Sequence, residues 1–527
     1  MAPAPDPSVA QAEADVLIVG GGPVGLTARA LLERWGVRVL LVEKHRALSP
    51  FPRSRLVNVR SMEIYRQLGL AAGIAAKAFA PKYGRIRFRD TLYDRDFATA
   101  AMVAVDAPVP ESPVIGVVTS QDRLEPALLA AADAPARFGV ELADLAEDAD
   151  GVVARLVDHH SGDETRVRAR YVLAADGANS TVRRLLGIDT VGPGALGDFT
   201  TVVFDADLTG WCERQPAGIY FTAHGSFAPV HPEGDWAWFG PTPDDAAHTD
   251  WSALVSRALG PGADVRAKVV RAQHWVMNAS VAERFRQGRI LLAGDAAHAV
   301  PIIGGLGMNA GLADVHNLCW KLAGVLQGWA GPGLLETYEA ERRPVAHRTL
   351  HQAVANTHLM VQVLNRRHEQ LRNGEAAPAR VELPWSERYF AQLGLVLGVT
   401  YRSAAVLTGH TTPPEPSGDG TDYVPSAEPG HRMPHLWLTR DRSTLDALGE
   451  WFTLLTPDPV HWGQHTTVGR PLRIEPLPAE HTDLCGLGPR GALLVRPDGH
   501  IAARWPDPPP ADAPLRDALA ALTGRQA

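Results

Sequence analysis

The sequence predicts an α/β fold in which a βαβ unit opens the chain, a β-rich domain occupies the middle and a smaller α/β segment closes it. Residues 15–44 alternate between strand, glycine turn, helix and strand patterns, as a βαβ unit does. Residues 191–280 combine strand patterns with clustered aromatic residues. Because 527 residues exceed one ordinary core, about two to four domains are expected.

Composition narrows the classes of partner. With 45% hydrophobic residues, 21% charged residues and a net charge of −8, the chain lacks the basic field that nucleic acid or an anionic membrane requires. It contains no run of about 18 apolar residues, the length of a membrane span. The cysteines, Cys212, Cys319 and Cys485, are too few and too dispersed for a disulfide framework or a CxxC site. These features favour a cytoplasmic protein with a small-molecule substrate. The opening MAPAPDPSVAQAEA has no targeting signal and is expected to be a frayed leader.

The first motif is Gly20-x-Gly22-x-x-Gly25, between the first strand and the first helix. Gly20 permits the tight turn, Gly22 lets the backbone approach a pyrophosphate, and Gly25 lets the helix pack on the strand. Glu43 ends the second strand, where a carboxylate accepts hydrogen bonds from a ribose. A purely structural glycine turn is the alternative, but the strand-turn-helix context favours a Rossmann-like dinucleotide site. No second such motif follows a strand, so any other dinucleotide must bind differently.

The remaining patterns place the other elements. Helices are predicted over residues 60–78, with a break near Gly69, and over residues 120–139, with Ser120 as N-cap. Short alternating strands follow between about residues 141 and 175, and long helices follow residue 312. A Pro/Gly/Asp-rich passage at residues 411–430 predicts a domain boundary.

The stretch RILLAGDAAHAVPIIGGLGMNAGLADVHNL, residues 289–318, has an unusual construction. An apolar strand pattern stops at Gly294 and Asp295, Pro301 interrupts the linker, and glycines crowd the next turn. A carboxylate at a strand tip, followed by a loop without bulk, indicates a ligand held against the backbone. A strand-loop-helix corner with left-handed glycines is the structural alternative.

Three motifs carry a resemblance to a known family. ILLAGDAAHAVPIIGGLGMN resembles the ribityl-binding motif of flavoprotein monooxygenases, RYVLAADGANSTVR resembles their Asp-Gly motif, and both follow the GxGxxG in the expected order. The chain is similar to class A, FAD-dependent aromatic hydroxylases of the phenol hydroxylase superfamily. LSPFPRSRLVNVRSMEIYRQLGL brings it nearest the aromatic polyketide hydroxylases.

The resemblance implies a domain order. A FAD-binding domain spans residues 1–190 and resumes with long helices at 281–400, a substrate-binding β-sheet domain spans 191–280, and a thioredoxin-like domain spans 401–527. The last rests on PGHRMPHLWL, STLDALGEWFTLLTP and GALLVRPDGHIAARW. Cys485 stands alone there, so a structural or assembly role is expected rather than thiol–disulfide chemistry.

The resemblance also assigns roles to residues. Asp295 accepts a hydrogen bond from a ribityl hydroxyl, and its charge strengthens that bond. Pro301 lies near the reacting face of the flavin, while the catalytic base stays unassigned. The implied FAD-binding set is Gly20, Gly22, Pro23, Val24, Gly25, Glu43, Lys44, Arg53, Arg55, Gln121, Arg123, Asp176, Gly177, Gly294, Asp295, Pro301, Gly305, Gly307, Met308 and Asn309.

In the glycine loop, Gly304, Gly305 and Gly307 allow the backbone around Met308 and Asn309 to lie against the pyrimidine edge of the isoalloxazine. The N–H groups that begin the next helix then stabilise negative charge on reduced flavin.

Two pairs of residues match family positions near the cofactor. Arg53 and Arg55 match the arginine that lies near the flavin or its diphosphate, and Gln121 and Arg123 match the QxR of a helix that faces the cofactor. For each arginine, a solvated surface charge is the alternative. Asp176 and its glycine neighbour fit the motif associated with both FAD and pyridine nucleotide.

The implied activity is hydroxylation of a phenolic or polyketide-type aromatic ring. NADPH or NADH reduces FAD, O2 adds to give a flavin C4a-hydroperoxide, and the protein positions the ring and excludes water. His224, Trp236 and Trp238 are the substrate-contact candidates, with a place in the core as their alternative. No metal is implied, and a homodimer is compatible with the sequence.

Rival functions differ in one sequence feature each. GDWAWFGP resembles the GWxWxIP element of flavin-dependent halogenases, but Asp235 precedes Trp236 and the halogenase lysines are missing. A Baeyer-Villiger oxygenase on the same scaffold stays open. A non-catalytic flavin-binding or assembly protein is disfavoured because the glycine loop and Pro301 are present, and a metal hydrolase because HExxH and Cys/His clusters are absent.

Overall fold

The structure is a computed structural model, and it describes residues 12–260, 265–375, 381–385, 392–408, 421–464, 471–508 and 514–524. Its strands are, in chain order, β1 (Ala12–Val19), β2 (Val39–Glu43), β3 (Leu56–Val57), β4 (Arg85–Phe88), β5 (Ala98–Ala101), β6 (Val117–Val118), β7 (Ala136–Phe138), β8 (Val140–Glu147), β9 (Val152–Asp158), β10 (Glu164–Ala174), β11 (Thr190–Asp205), β12 (Ile219–Thr222), β13 (Gly225–His231), β14 (Gly234–Pro241), β15 (Lys268–Ala282), β16 (Arg286–Gln287), β17 (Ile290–Leu292), β18 (His298–Ala299), β19 (Phe452–Thr456), β20 (Leu472–Pro476), β21 (Ala492–Val495) and β22 (Ile501–Trp505).

The helices connect and cover these strands. They are α1 (Pro23–Arg34), α2 (Val59–Gln67), α3 (Ala71–Lys77), α4 (Gln121–Leu129), α5 (Thr181–Leu185), α6 (Thr209–Arg214), α7 (Trp251–Leu259), α8 (Leu306–Leu326), α9 (Glu336–Arg372), α10 (Leu393–Val396), α11 (Pro459–Gly463), α12 (Thr482–Cys485) and α13 (Pro514–Thr523). None of the helices in the described residues is both long and apolar enough to cross a membrane.

The first sheet has the strand order β16-β17-β10-β1-β2-β7, and the β8-β9 hairpin is attached to β10. Strand β1 pairs in parallel with both β10 and β2, and β10 pairs in parallel with β17. Val16, Leu17 and Ile18 of β1 are fully buried, because the strand lies inside the sheet and helices cover it. The carboxyl ends of β1, β10 and β17 therefore meet at one edge, where doubly wound sheets bind ligands.

The second sheet has the order β18-β15-β11-β14-β13-β12-β4-β5. The long strands β11 and β15 pair in antiparallel fashion beside the edge strand β18. Strands β4 and β5 come from the part of the chain before residue 190, so this sheet draws on both sides of that predicted boundary.

The C-terminal sheet has the order β20-β19-β21-β22, with β19 and β20 parallel and the other pairs antiparallel. Buried charges join it to the first domain: Arg496 bonds Glu341 of α9 at 2.6 Å, and Glu341 also accepts from Lys321 of α8 at 2.7 Å. The thioredoxin-like assignment of this region stays a prediction.

The α/β class is confirmed, and some local predictions need correction. The helix predicted over residues 120–139 ends at Leu129, and β7 follows within that range. Ser120 is the N-cap residue of α4, as predicted, but its side chain accepts no helix N–H. The break near Gly69 is confirmed, because Gly69 has a φ of 77° between α2 and α3. Residues 1–11 of the predicted leader and 411–420 of the predicted boundary lie outside the described residues.

Candidate active site

One cavity of about 1570 Å³ lies between the first and second sheets. We call its two sides the turn wall and the sheet wall. The turn wall consists of residues at the carboxyl ends of three strands and in the loop before α8, namely Gly20–Pro23, Ala175–Gly177, Ala293, Asp295 and Gly304–Met308. The sheet wall consists of side chains from the second sheet, namely Phe199, Thr201, Phe239, Gln273, Trp275 and Met277.

The three glycines of the first motif differ in what surrounds them. Gly20 has a φ of 111°, and a Cβ there would lie 2.2 Å from the Ala175 carbonyl oxygen. A Cβ on Gly25 would lie 2.0 Å from the Gly20 oxygen, so α1 packs directly on the turn. A Cβ on Gly22 would meet no protein atom within 4 Å, and Gly22 faces the cavity. Gly20 and Gly25 shape the turn, whereas Gly22 keeps space open for a ligand.

Glu43 fastens this turn to the end of β2. Its Oε2 accepts from the Gly21 N–H at 2.7 Å, and its Oε1 accepts from the His45 N–H at 2.8 Å. His45 Nδ1 also lies 2.5 Å from Oε1, whereas Oε2 keeps a further lone pair with which the carboxylate can accept from a ribose. Lys44 is exposed beside it on the cavity wall.

Asp295 lies in a 3₁₀ turn, Gly294–Ala296, directly after β17. Its side chain faces the cavity and accepts no hydrogen bond from the described residues. A Cβ on Gly307 would lie 3.9 Å from its Oδ1, so the start of α8 is close. Burial raises the pKa of Asp295, an effect that His298 and Arg53 oppose. The carboxylate is exposed to the cavity and has capacity to bind a donor.

A buried ion network, which the sequence analysis missed, holds the 3₁₀ turn of Asp295 in place. Asp314 of α8 accepts from the Gly294 N–H at 3.1 Å, from His298 Nε2 at 2.6 Å and from Arg342 Nε at 2.7 Å. Arg342 also donates to Tyr401. The interactions with His298 and Arg342 outweigh burial and lower the pKa of Asp314. Its signal in the sequence is an aspartate within an otherwise apolar helix pattern.

The glycine loop enters α8 through Gly305, which has a φ of 64°. The Asn309 side chain holds the loop: it donates to the Gly305 oxygen at 2.7 Å and to the Leu56 oxygen at 2.9 Å, and accepts from the Asn58 N–H at 2.9 Å. Asn309 is therefore a buried organiser of the loop, while Met308 and the buried Pro301 line the cavity.

The two arginines after β2 differ. Arg53 is exposed on the cavity wall and acts electrostatically on Asp295. Arg55 also lines the cavity, but it donates to the backbone oxygens of Gly218 (2.8 Å) and Pro229 in the second sheet. It therefore extends to the second sheet, whereas Arg53 lies close enough to act on Asp295.

The QxR pair splits as well. Gln121 is on the cavity wall and donates to Glu125 at 2.7 Å. Arg123 pairs with Glu233 and is not part of the wall, so its position does not fit the predicted contact with the cofactor. Asp176 and Gly177 are on the wall, where Asp176 accepts from Ser180 at 2.6 Å.

The substrate-contact candidates need correction. Trp236 and Trp238 are only 3% exposed and pack in the hydrophobic core beside the second sheet, on the face of β14 away from the cavity. His224 is an exposed turn residue whose backbone oxygen accepts from Trp238 Nε1 at 2.8 Å. None of the three lines the cavity.

The residues that do line it alternate with those tryptophans. Phe239 directly follows Trp238 on β14, points to the opposite face of the strand and pairs with Thr201 of β11. Phe199 stacks on Trp275 with ring centroids 5.2 Å apart, and Trp275 Nε1 donates to Thr201 at 3.0 Å. Thr357 and Met360 of α9 and Leu393 of α10 also line the cavity.

Comparison with known proteins is consistent over the whole chain. Residues 13–353 match the family described as FAD binding domain, and residues 426–526 match the family described as aromatic-ring hydroxylase, C-terminal. The chain is 36% identical to aklavinone 12-hydroxylase of Streptomyces purpurascens, over 93% of this chain and 95% of that one. It is 34% identical to tetracenomycin B2 monooxygenase-dioxygenase of Streptomyces olivaceus, over 95% and 96%.

Solved structures are similar throughout their length. A flavin-dependent monooxygenase solved in complex with FAD and substrate superposes with a TM-score of 0.87 at 30% identity, covering 98% of this chain and 99% of that one.

Proposed function

We propose that this chain, which belongs to the family of FAD-dependent aromatic hydroxylases, hydroxylates a polycyclic, polyketide-type phenol with O2. Within that family it is nearest the aromatic polyketide hydroxylases. It is a FAD-dependent aromatic monooxygenase, with NAD(P)H as the reductant typical of its class. The relatives named for aklavinone and tetracenomycin B2 support the proposed substrate class.

The observation that carries the proposal is the size and composition of the cavity. A pocket for one drug-sized ligand measures roughly 300–1,000 Å³. The cavity here, about 1570 Å³, exceeds that range, and its two walls differ in chemistry. The turn wall suits a dinucleotide, while the apolar and aromatic sheet wall suits a broad planar ring system that binds beside it.

The turn wall fits FAD. The space left by Gly22 at the start of α1 suits the pyrophosphate, and Glu43 suits the adenosine ribose. Asp295, which has no partner among the described residues, suits a ribityl hydroxyl. The first N–H groups of α8 suit the pyrimidine edge of the flavin.

Bound FAD supplies electron transfer from NAD(P)H and the activation of oxygen. The protein holds the ring system against Phe239 and the stacked pair Phe199 and Trp275. Thr201 and Gln273 offer polar contacts on the same wall. Met360 and Leu393 add apolar surface to the cavity wall, which limits water at the reacting atoms.

Halogenation is disfavoured by two features of the site. Trp236 and Trp238, which suggested it, pack in the core. Among the described residues of the cavity wall, Lys44 is the one lysine, and it lies beside Glu43 at the end of β2, away from the sheet wall.

A substrate panel tests the proposal. We would compare NADPH and NADH oxidation with polycyclic hydroxyanthraquinones and single-ring phenols of similar acidity, and analyse the products by mass spectrometry and NMR. Faster turnover of the polycyclic phenols, with one oxygen added as a ring hydroxyl, is expected. Single-ring preference would refute the substrate class, an added oxygen in an ester or lactone would indicate Baeyer-Villiger oxidation, and halogen incorporation would refute hydroxylation.

A further inference from the structure

Arg55 is a partly buried cation on the cavity wall, and its Nε atom is fully enclosed. It directly precedes β3 and extends across the cavity to the second sheet, where its terminal nitrogens donate to the oxygens of Gly218 and Pro229. Gly218 is itself on the cavity wall and is packed between Met102 and Val118, since an added Cβ would lie 3.1 Å from Met102 Cε and 3.2 Å from Val118 Cγ2. A guanidinium in this setting has lost most of its hydration.

The charge of Arg55 is not neutralised by a bonded carboxylate. Both of its hydrogen bonds go to neutral carbonyls, and its buried Nε–H has no partner among the described residues. Asp122 of α4 acts on it electrostatically, but that carboxylate accepts from His231 of β13 at 2.9 Å. Buried cations are normally paired, so this one has capacity for an anion.

The other titratable groups around Arg55 do not supply that anion. Burial raises the pKa of both Cys212 on α6 and Tyr220 on β12, so both are neutral at neutral pH. Burial also lowers the pKa of Arg55 to about 10, which still leaves the guanidinium charged at neutral pH. Arg55 lines the cavity, and each of its two terminal nitrogens keeps a second N–H beyond the bonds to Gly218 and Pro229, so the cation can donate to an anion in the cavity.

We propose that Arg55 binds the phenol oxygen of the substrate as its phenolate and thereby orients the ring between the flavin and the sheet wall. This rests on the proposed function, because it requires a phenolic substrate. The phenol proton is released to water on binding, and no group is oxidised or reduced in the step. An ionised phenol is richer in electrons, so the same contact both positions the ring and favours its hydroxylation.

The alternative is that Arg55 only braces β3 against the second sheet. A brace would affect every ligand equally, whereas a phenolate site distinguishes a phenol from its methyl ether. We would titrate FAD-loaded enzyme, without NAD(P)H, with 2-hydroxyanthraquinone and with its methyl ether, from mildly acidic to mildly alkaline pH. The visible spectrum of the phenol reports its ionisation.

In the wild-type protein, the bound phenol should ionise at a pKa at least about one below that of the free compound, which equals a tenfold preference for the phenolate. Arg55→Gln should abolish this difference and weaken phenol binding about tenfold, with methyl ether and FAD affinities within about twofold. Arg55→Lys should restore part of the preference, because it keeps the charge without the planar fork. Arg168→Gln removes a surface partner of Asp148 and serves as the matched control.

Four outcomes would overturn the role of Arg55: an unshifted pKa of the phenol in the wild-type protein, equal weakening of both ligands, unchanged phenol affinity in Arg55→Gln, or loss of FAD alone. If Arg55→Gln does not fold, the wild-type pKa and Arg55→Lys still decide. Absence of binding by any hydroxyanthraquinone would instead refute the proposed substrate class.

Discussion

In the turn wall the cavity surface is mostly backbone, whereas in the sheet wall it is mostly side chain. Gly20 and Gly25 are held by backbone contacts that a single added carbon would violate, and Asp295 lies above the buried Asp314 network. Phe239 and its neighbours project from strands whose backbone pairing does not depend on them. The turn wall is therefore coupled to folding, while the sheet wall can change its ligand preference at little cost in stability.

The largest effect expected from this difference is at Asp314. Asp314→Ala leaves Arg342 buried without its carboxylate and should lower the free energy of unfolding by about 3–5 kcal/mol. Because the folded pKa of Asp314 is lowered, its stabilisation is complete above the unfolded pKa and is lost as pH falls through the folded one. Thermal melts of the wild-type protein and of Asp314→Ala across acidic pH measure the loss of stability and its pH dependence. The exposed pair of Asp148 and Arg168 is the control; an equal loss from Asp148→Ala would contradict the coupling of the network to folding.

Asp295 should behave in the opposite way. Asp295→Ala removes a charge-assisted hydrogen bond of roughly 1.5–3 kcal/mol to FAD, a fall in affinity of about ten- to a hundredfold. The apoprotein should be no less stable. Burial raises the pKa of Asp295 in the folded state above its value in the unfolded chain. The ionised carboxylate therefore destabilises the FAD-free protein as pH rises through these two pKa values and above them. FAD titration and apoprotein melts separate the effects. Unchanged FAD affinity would mean that the flavin binds elsewhere.

Two glycines of the first motif, Gly22 and Gly25, distinguish residues of the turn wall that stabilise the fold from residues that leave room for FAD. Gly25→Ala should destabilise the protein by about 1–3 kcal/mol, because the new Cβ overlaps the Gly20 oxygen. Gly22→Ala meets no protein atom and should leave apoprotein stability within about 0.5 kcal/mol while weakening FAD binding. Denaturant unfolding of both apoproteins and FAD titration are the measurements. Normal FAD binding by Gly22→Ala would show that no phosphate lies at this turn.

The smallest effect concerns adjacent residues on opposite faces of β14. Phe239→Leu should change stability by less than about 1.5 kcal/mol and lower kcat/KM for polycyclic relative to single-ring phenols about two- to tenfold, since an aromatic contact is lost. Trp238→Phe should reduce stability, because it removes the bond to the His224 oxygen, and leave that ratio unchanged. A change of ratio in Trp238→Phe alone would reverse our assignment of the two faces.

Sequence reasoning succeeded where local backbone geometry decides the structure. The strand-turn-helix order around Gly20, the position of Glu43 and the exposed tip at Asp295 all follow from residues close in the chain, and all three line the cavity. The periods of the apolar patterns indicate an α/β part and a β-rich part but not a boundary at residue 190, because β4 and β5 join the second sheet from earlier in the chain.

Only the tertiary structure decided which side chains share the cavity. A period of two shows that Trp236 and Trp238 share one face of β14 and Phe239 the other, but not which face meets the ligand. Likewise, Arg55 and Arg123 carry the same charge, and only the packing of distant strands leaves one in an apolar wall and the other beside Glu233. The physical reason is that burial and ion pairing depend on contacts between segments far apart in the chain, and local patterns do not specify them.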